Sequence, residues 1–493
     1  MYKPTIGLEI HAELNTHSKM FCSCANNPDE KRPNFLICPV CVGHPGTLPV
    51  ANEEAIKKVI KTGLALHSKI AKESKFDRKN YFYPDIPKGY QISQYDQPLA
   101  SGGLLKFKVE SSKFKVVRIT RIHLEEDTGS SIHPEGADYS LVNYNRAGVA
   151  LMELVTEPDI TSGQEAKKFA EELQLIFKYL GVSDADMEKG LMRVEVNISV
   201  MKSEARNPKS ETNSKSKIQK PKLGTKVEIK NLNSFKVVQK SIDFEIARQI
   251  EVLESGEKVV QETRGWNDKK EITFSQREKE SAHDYRYFPE PDLPPLYFDK
   301  KYIEDIGAQI PELPEQKRKR FSDEFGLSAE QIEVFITNKD LSEYFEKVAS
   351  ESEDKELYKL IANYLLSDLQ GILAGKEFVE KECKITPENF AEFITMIHKQ
   401  EINSKTAKMV LLEMFNTGGD PSSIVEQNNW GQMKDDGKLE EIIKEVIEKN
   451  PKPVENYKAG NQNAIQFLLG QVMAATRGTA DPKTVQEILK KLL

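Results

Sequence analysis

The chain has 493 residues, 38% of them hydrophobic and 30% charged, a soluble globular balance that suggests roughly three domains at about 150 residues each. Its formal net charge of −7 excludes a chain that is basic throughout, so any nucleic-acid surface has to be a local patch. No apolar run approaches the ~20 residues of a membrane-spanning helix, and Met1–Ile6 lacks the core of an export signal, so a cytoplasmic location with no membrane partner is expected.

Residues 5–14 alternate strictly. Ile6, Leu8, Ile10 and Ala12 face one way and Glu9, His11 and Glu13 the other, which predicts a half-buried strand. After a cysteine cluster, Ala55, Ile56, Val59, Ile60, Leu64 and Ile70 recur at helical spacing behind Asn52-Glu53-Glu54. Residues 73–159 are rich in β-branched and aromatic residues broken by Pro and Gly, and read as strands and loops. Ser162 and Glu165 form a capping box for a helix that Gly181 ends. Phe235, Val238, Ile242, Ile246, Ile250 and Leu253 mark another helix. Residues 202–222 hold seven Lys or Arg against two Glu and almost nothing apolar; they read as a mobile basic loop, either a solvated insertion or a surface for a polyanion. Pro289, Pro291, Pro294 and Pro295 punctuate the chain, and helix starts then replace strand signals at Ser328, Thr386-Pro387 and Asn403-Ser404. Gly418-Gly419-Asp420-Pro421 interrupts this helical region. The pattern predicts an α+β chain with units at 1–295, 296–410 and 411–493, and no internal repeat is apparent.

Cys22-x-Cys24 and Cys38-x-x-Cys41 offer two thiolate pairs from two tight turns, the pattern of a tetrahedral Zn²⁺ site. With all four positions used, such a zinc would be structural. In a reducing compartment this reading is preferred to disulfides. Cys383 stands alone and reads as ordinary packing. Glu9 and His11 share a strand face, Glu125-Glu126-Asp127 end a second strand, and Glu153 sits in an apolar run, Ala150–Val155. A buried lone carboxylate needs a partner. Either a hard divalent cation, Mg²⁺ or Mn²⁺, or an arginine such as Arg121 or Arg146 supplies it. Glu13 reads as solvated. Lys75–Asp85 and Lys88–Gln94 interleave cations with aromatic rings, which suits phosphates and stacked bases or, equally, a loop packed over its own tyrosines. No glycine cradle for phosphates is present. Nor is there a Ser-rich amidase or Cys-His nucleophile arrangement; if the chain handles ammonia, another chain must release it.

Five motifs occur in order: Gly7–His11, Glu73–Gln94, His123–Gly129, Lys230–Phe235 and Asp284–Asp292. Together they resemble the B-subunit family of the bacterial aspartyl/glutamyl-tRNA amidotransferases, from Ile6 to the C-terminus. The resemblance implies a glutamine-synthetase-like cradle with a mixed or antiparallel sheet, an all-α domain, and a small all-α, YqeY-like, tRNA-binding tail. It implies a carbon–nitrogen ligase, active as a heterotrimer with an A subunit that is an amidase and a small C subunit. The B subunit would use ATP and Mg²⁺ to phosphorylate the side-chain carboxylate of misacylated Glu-tRNA(Gln) or Asp-tRNA(Asn). Ammonia freed by the amidase would then displace the phosphate. By motif match Glu9, His11, Glu126 and Glu153 would hold Mg²⁺, which gives Glu126 and Glu153 catalytic roles; Lys79 and Lys88 are candidates for the further positive charge that phosphoryl transfer needs. Lys458, Arg477 and Lys483 of the tail would touch tRNA. The zinc cysteines match a subset of the family, so that metal would not be needed for the chemistry. Two other readings remain: a non-catalytic, zinc-containing tRNA-binding scaffold, and the related archaeal glutamyl-tRNA-specific enzyme, for whose inserted domain this chain is too short.

Overall fold

A computed structural model describes residues 2–110, 113–134, 136–202, 223–278, 285–352, 354–431, 436–476 and 479–493. The basic segment 203–222 and Arg477 lie outside them. The long strands are β1 (Tyr2–Glu13), β2 (Lys113–Glu126), β3 (Ala150–Thr156), β4 (Met192–Lys202) and β5 (Val227–Leu232), followed by the hairpin β6 (Glu262–Asn267) and β7 (Ile272–Glu278). They lie in one sheet in the order β7-β6-β5-β4-β1-β3-β2, which Ala100–Ser101 and Lys69–Ile70 extend beyond β2. Neighbours run antiparallel except β5 and β6, which are parallel.

The alternation in β1 sets the two faces of this sheet. Ile6, Leu8, Ile10 and Ala12 are fully buried, and so are Ile122, Leu124, Met152, Leu154, Val194, Val196 and Ile229 from the neighbouring strands. Against them pack α1 (Glu53–Ala65), α2 (Gly163–Leu180) and α3 (Phe235–Glu254), through residues such as Val59, Phe169, Phe177, Val238 and Ile242. Each such side chain contributes about 1.5–3 kcal/mol on burial. The caps follow from sequence. Ser162 accepts the Glu165 N–H at the start of α2, and Gly181, at φ +65, closes it in a conformation that favours glycine. A small sheet of Asp77–Asn80, Tyr90–Ser93 and Phe288–Pro289 holds the cation-rich segment against the same unit.

The first compact unit is Met1–Leu313 and the second Pro314–Leu493. The boundary thus falls after the proline cluster near 295. Beyond those prolines Leu296, Phe298, Tyr302, Ile303 and Ile306 still return an apolar stripe to the sheet's core. The second unit is helical throughout its described residues, and within it Leu439, Ile443, Leu468, Val472, Val485 and Leu489 form one cluster that joins its last helices. Among the described residues no helix is long and apolar enough to cross a membrane.

Candidate functional site

The face of the sheet opposite the core carries a row of polar side chains, because the registers align them. His11 on β1 lies opposite Glu153 on β3, and Glu153 lies opposite His123 on β2. On the other side Glu9 lies opposite Glu195 of β4, whose Asn197 lies opposite Glu228 of β5. Strands about 4.8 Å apart hold these groups close without any loop.

Two clusters result. In the first, donor atoms of His11, Glu125 and Glu153 all lie within 4.8 Å of one another. His11 Nε2 is 3.3 Å from Glu153 Oε2 and 3.9 Å from Glu125 Oε1. His123 Nε2 approaches the same two carboxylates at 3.4 and 3.9 Å, and its buried Nδ1 has no hydrogen-bond partner among the described residues. Burial opposes charge on His11, but its hydrogen bond to Glu153 and the surrounding carboxylates outweigh that and raise its pKa to about 9. Burial likewise opposes charge on Glu153, yet the two imidazoles hold its carboxyl well below the usual range. Lys79 lies nearby, over the rings of Tyr285 and Tyr81 at 5.2 and 5.9 Å, and against the cost of burial Glu125 and Glu153 raise its pKa. Arg121 reaches Glu153 Oε1 at 3.8 Å from the more exposed side, so both partners foreseen for that carboxylate have a place here. Two carboxylates and an imidazole are a hard donor set that suits Mg²⁺ or Mn²⁺. The second cluster joins Glu9, Glu195 and Glu228, again within 4.8 Å of one another, with Asn197 donating to Glu9 at 2.7 Å.

Of the residues expected to hold Mg²⁺, His11 and Glu153 are together and Glu9 stands in the adjoining cluster. Glu126 is elsewhere, and Glu125 takes its place. Successive residues of a strand point to opposite faces, so only one of the two can share a side with His123. Glu126 instead pairs with Lys88 and accepts the Ile92 N–H at 2.8 Å. Lys88 therefore also lies away from the first cluster. Glu13 is buried rather than solvated. Burial and the neighbouring Asp127 raise its pKa to about 8, while Arg193 binds both oxygens of Asp127 at 2.9–3.0 Å. The strand pattern in β4 and β5 carried the signal for Glu195, Glu228 and Lys230, which alternate with Val194, Val196 and Ile229, but nothing local assigned them to this face.

Cys22, Cys24, Cys38 and Cys41 converge with their Sγ atoms within 4.8 Å of one another. Four sulfurs around zinc stand roughly 3.8 Å apart, given a Zn–S bond near 2.3 Å, so the donor set fits. The Cys38 N–H donates to Cys41 Sγ at 3.2 Å, and the fully buried Lys19 points its ammonium at the same sulfur from 3.8 Å while donating to the carbonyls of Leu36 and Ala147. The Cys22 sulfur, and Lys19 among other neighbours, lower the Cys41 thiol to about 5. Gly43, at φ +71, lets the knuckle lie against Lys88, where a Cβ would meet Lys88 Cγ at 2.4 Å. In the tail Lys458 and Lys483 are exposed.

Comparison with known proteins finds relatives that match over the whole chain. Residues 4–304 match the GatB/GatE catalytic domain, and residues 343–493 match the GatB domain. The aspartyl/glutamyl-tRNA(Asn/Gln) amidotransferase B subunit of Persephonella marina is 47% identical over 492 residues, covering 100% of this chain and 99% of that one. The B subunits of the same enzyme from Carboxydothermus hydrogenoformans and Thermotoga maritima are each 45% identical, again covering 100% of this chain and 99% of their own. With two domains matched in order and such identity along its full length, the chain belongs to the GatB/GatE family and sits among its amidotransferase B subunits.

Proposed function

We propose that this chain is the B subunit of a glutamine-dependent aspartyl/glutamyl-tRNA amidotransferase, a carbon–nitrogen ligase that works in the cytoplasm as a heterotrimer with an amidase, its A subunit, and a small C subunit. Its substrates are ATP, ammonia from the amidase, and the misacylated Glu-tRNA(Gln) or Asp-tRNA(Asn). The first unit acts as a cradle of glutamine-synthetase type, and the helical tail meets tRNA through cations such as Lys458, Arg477 and Lys483. The observation that carries this reading is the row of His11, His123, Glu125 and Glu153 on one sheet face, in a chain that matches B subunits from end to end.

A carboxylate is a poor acyl donor because its leaving group would be oxide, and phosphorylation makes that oxygen a good leaving group. His11, Glu125 and Glu153 would hold Mg²⁺, which supplies charge neutralisation on the phosphate oxygens during in-line transfer. His123 stands on the inner side of the same carboxylates and fixes them. Lys79, kept cationic by Glu125 and Glu153, faces the incoming anion, while Tyr285 and Tyr81 shield it from solvent. The resulting acyl phosphate takes the ammonia nitrogen at its carbonyl carbon, and phosphate leaves. Lys88 and Glu126 line a cavity of about 210 Å³ beside the cysteine knuckle and act apart from the cation, in keeping with their ion pair. Zn²⁺ on the four cysteines would be structural, holding the knuckle. The convergence of two carboxylates and an imidazole within 4.8 Å, a donor set for a cation, favours a catalytic centre over a pure scaffold.

The test is reconstitution with the A and C subunits, followed by assay of glutamine- and ATP-dependent conversion of both mischarged tRNAs. Formation of Gln-tRNA(Gln), Asn-tRNA(Asn) or both is expected. A complex with working glutaminase and no amidated tRNA would overturn the reading.

A further inference from the structure

Four tyrosine rings form a chain that runs from solvent to Lys79. Tyr95 is 59% exposed and stacks on Tyr287, with ring centroids 4.3 Å apart and planes 13° from parallel. Tyr287 meets Tyr285 edge-on at 6.0 Å, Tyr285 meets Tyr81 edge-on at 5.9 Å, and the Lys79 ammonium lies over the rings of both Tyr285 and Tyr81. The small sheet fixes this chain beside the carboxylates. Ser93, opposite Asp77 in register, donates its hydroxyl to Glu125 Oε2 at 3.1 Å. The buried Asp77 accepts the Tyr95 N–H at 3.0 Å and holds Lys75 with its other oxygen. The Asn80 N–H donates to the Tyr285 carbonyl at 2.9 Å. The Tyr95 backbone is therefore pinned, while most of its ring is left to solvent.

A lone exposed tyrosine needs no explanation, but a stacked pair at the rim of a reaction centre has the form of a platform on which a base lies flat. In the proposed reaction, the amino acid whose side-chain carboxylate is amidated is esterified to the last ribose of the tRNA. The terminal adenine therefore follows only a few bonds behind the reacting group. That nucleotide is single-stranded, and single-stranded bases are held chiefly by stacking on aromatic side chains. Resting on the function proposed above, we propose that Tyr95 and Tyr287 form the seat of this terminal adenine. The base lies on the open face of Tyr95, the amino acid extends past Tyr285 and Tyr81, and its carboxylate arrives at Lys79 beside Glu125. ATP carries an adenine as well; a platform on the rim, open to solvent, suits the tip of a macromolecule, and the experiment separates the two.

The experiment measures equilibrium binding of the reconstituted three-subunit complex to three probes: uncharged tRNA(Gln) ending in adenosine, the same tRNA whose last nucleotide has no base, and a non-hydrolysable ATP analogue. The parent is expected to prefer the intact end by roughly tenfold, the scale of one base stacked on an aromatic ring. Tyr95→Ala should bind both tRNAs with the weaker affinity, Tyr95→Phe should keep the preference, and the ATP analogue should bind all three complexes alike. A parent that binds both tRNAs equally, or an assembled Tyr95→Ala complex that keeps the preference, overturns the proposal. So does a Tyr95→Ala complex that loses affinity for the ATP analogue alone, which gives the platform to that nucleotide. The parent comparison stands even where a variant does not assemble. A parent that prefers the intact end and still forms no amidated tRNA refutes instead the reaction on which the proposal rests.

Discussion

Exchanging Glu125 for Gln and, separately, Glu126 for Gln tests which of two adjacent carboxylates serves the cation. Both are buried, at 2 and 4% exposure, and both changes keep the side-chain shape, so packing hardly distinguishes them. Glu125 Oε1 lies 3.9 Å from His11 Nε2. At that separation one unit charge is worth about 4 kcal/mol with an effective dielectric near 20. The Gln oxygen retains part of the interaction, and the carboxylate's desolvation cost is no longer incurred, so a net loss of ~3 kcal/mol is expected, about 10²-fold. Glu125→Gln should therefore weaken Mn²⁺ binding by roughly that factor and lower ATP-dependent transamidation at least as much. Glutaminase activity of the partner amidase should remain. Glu126→Gln removes the partner of Lys88 and should leave Mn²⁺ affinity unchanged, whatever it does downstream. Titration of each full-length variant followed by paramagnetic resonance, with transamidation measured in the reconstituted complex, decides between them. Parent-like affinity in Glu125→Gln together with a large loss in Glu126→Gln would refute the assignment of faces.

Glu153→Gln, deprived of the charge that faces both imidazoles, should lose transamidation by about 10²-fold or more, and near-normal turnover would make the cluster structural. Protein prepared without oxygen should carry about one zinc per chain, and Cys38→Ser should lower the melting temperature more than turnover per folded molecule; metal analysis that finds no zinc refutes this. Glu13, with a folded-state pKa near 8, holds a proton that the unfolded chain gives up near the ordinary 4.5, so stability falls as pH rises through that window. Glu13→Gln should flatten the decline in melting temperature between pH 5 and 8, and an unchanged slope would show that Glu13 is not the group responsible. Deleting residues 436–493, which form their own apolar cluster, should raise the KM for tRNA while amidation at excess tRNA persists; an unchanged KM removes the tail from the tRNA surface.

How much of this could be read beforehand depended on whether the information was local. Alternation put Glu9 and His11 on one face and Leu8 and Ile10 on the other, as the strand shows. The cysteine spacing brought four sulfurs together. Alternation also says that Glu125 and Glu126 diverge, and Ile122 and Leu124 on the core side put Glu125 with His123; what no local signal carries is that this face meets Glu153 through the pairing of β2 with β3, a contact across some thirty residues. The same holds for Glu13, which lies under Arg193 and Asp127 only because β4 and β2 flank the centre of the sheet. Glu195, Glu228 and Lys230 went unassigned for the same reason. The proline cluster marked a break in regular structure, yet a boundary is set by where apolar contacts with the core stop, and Ile306 still makes them.

The carboxylates and imidazoles of the centre and the aliphatic side chains of the core are borne by the same hydrogen-bond ladder, on its two sides. A slip of one residue between β1 and β3 would send His11 and Glu153 out of step and, in the same movement, turn Leu8 and Ile10 to solvent. A misaligned chain therefore cannot persist as a well-folded protein with a faulty cation site. The forces that exclude wrong registers during folding thereby also check the alignment of the carboxylates and imidazoles across the strands.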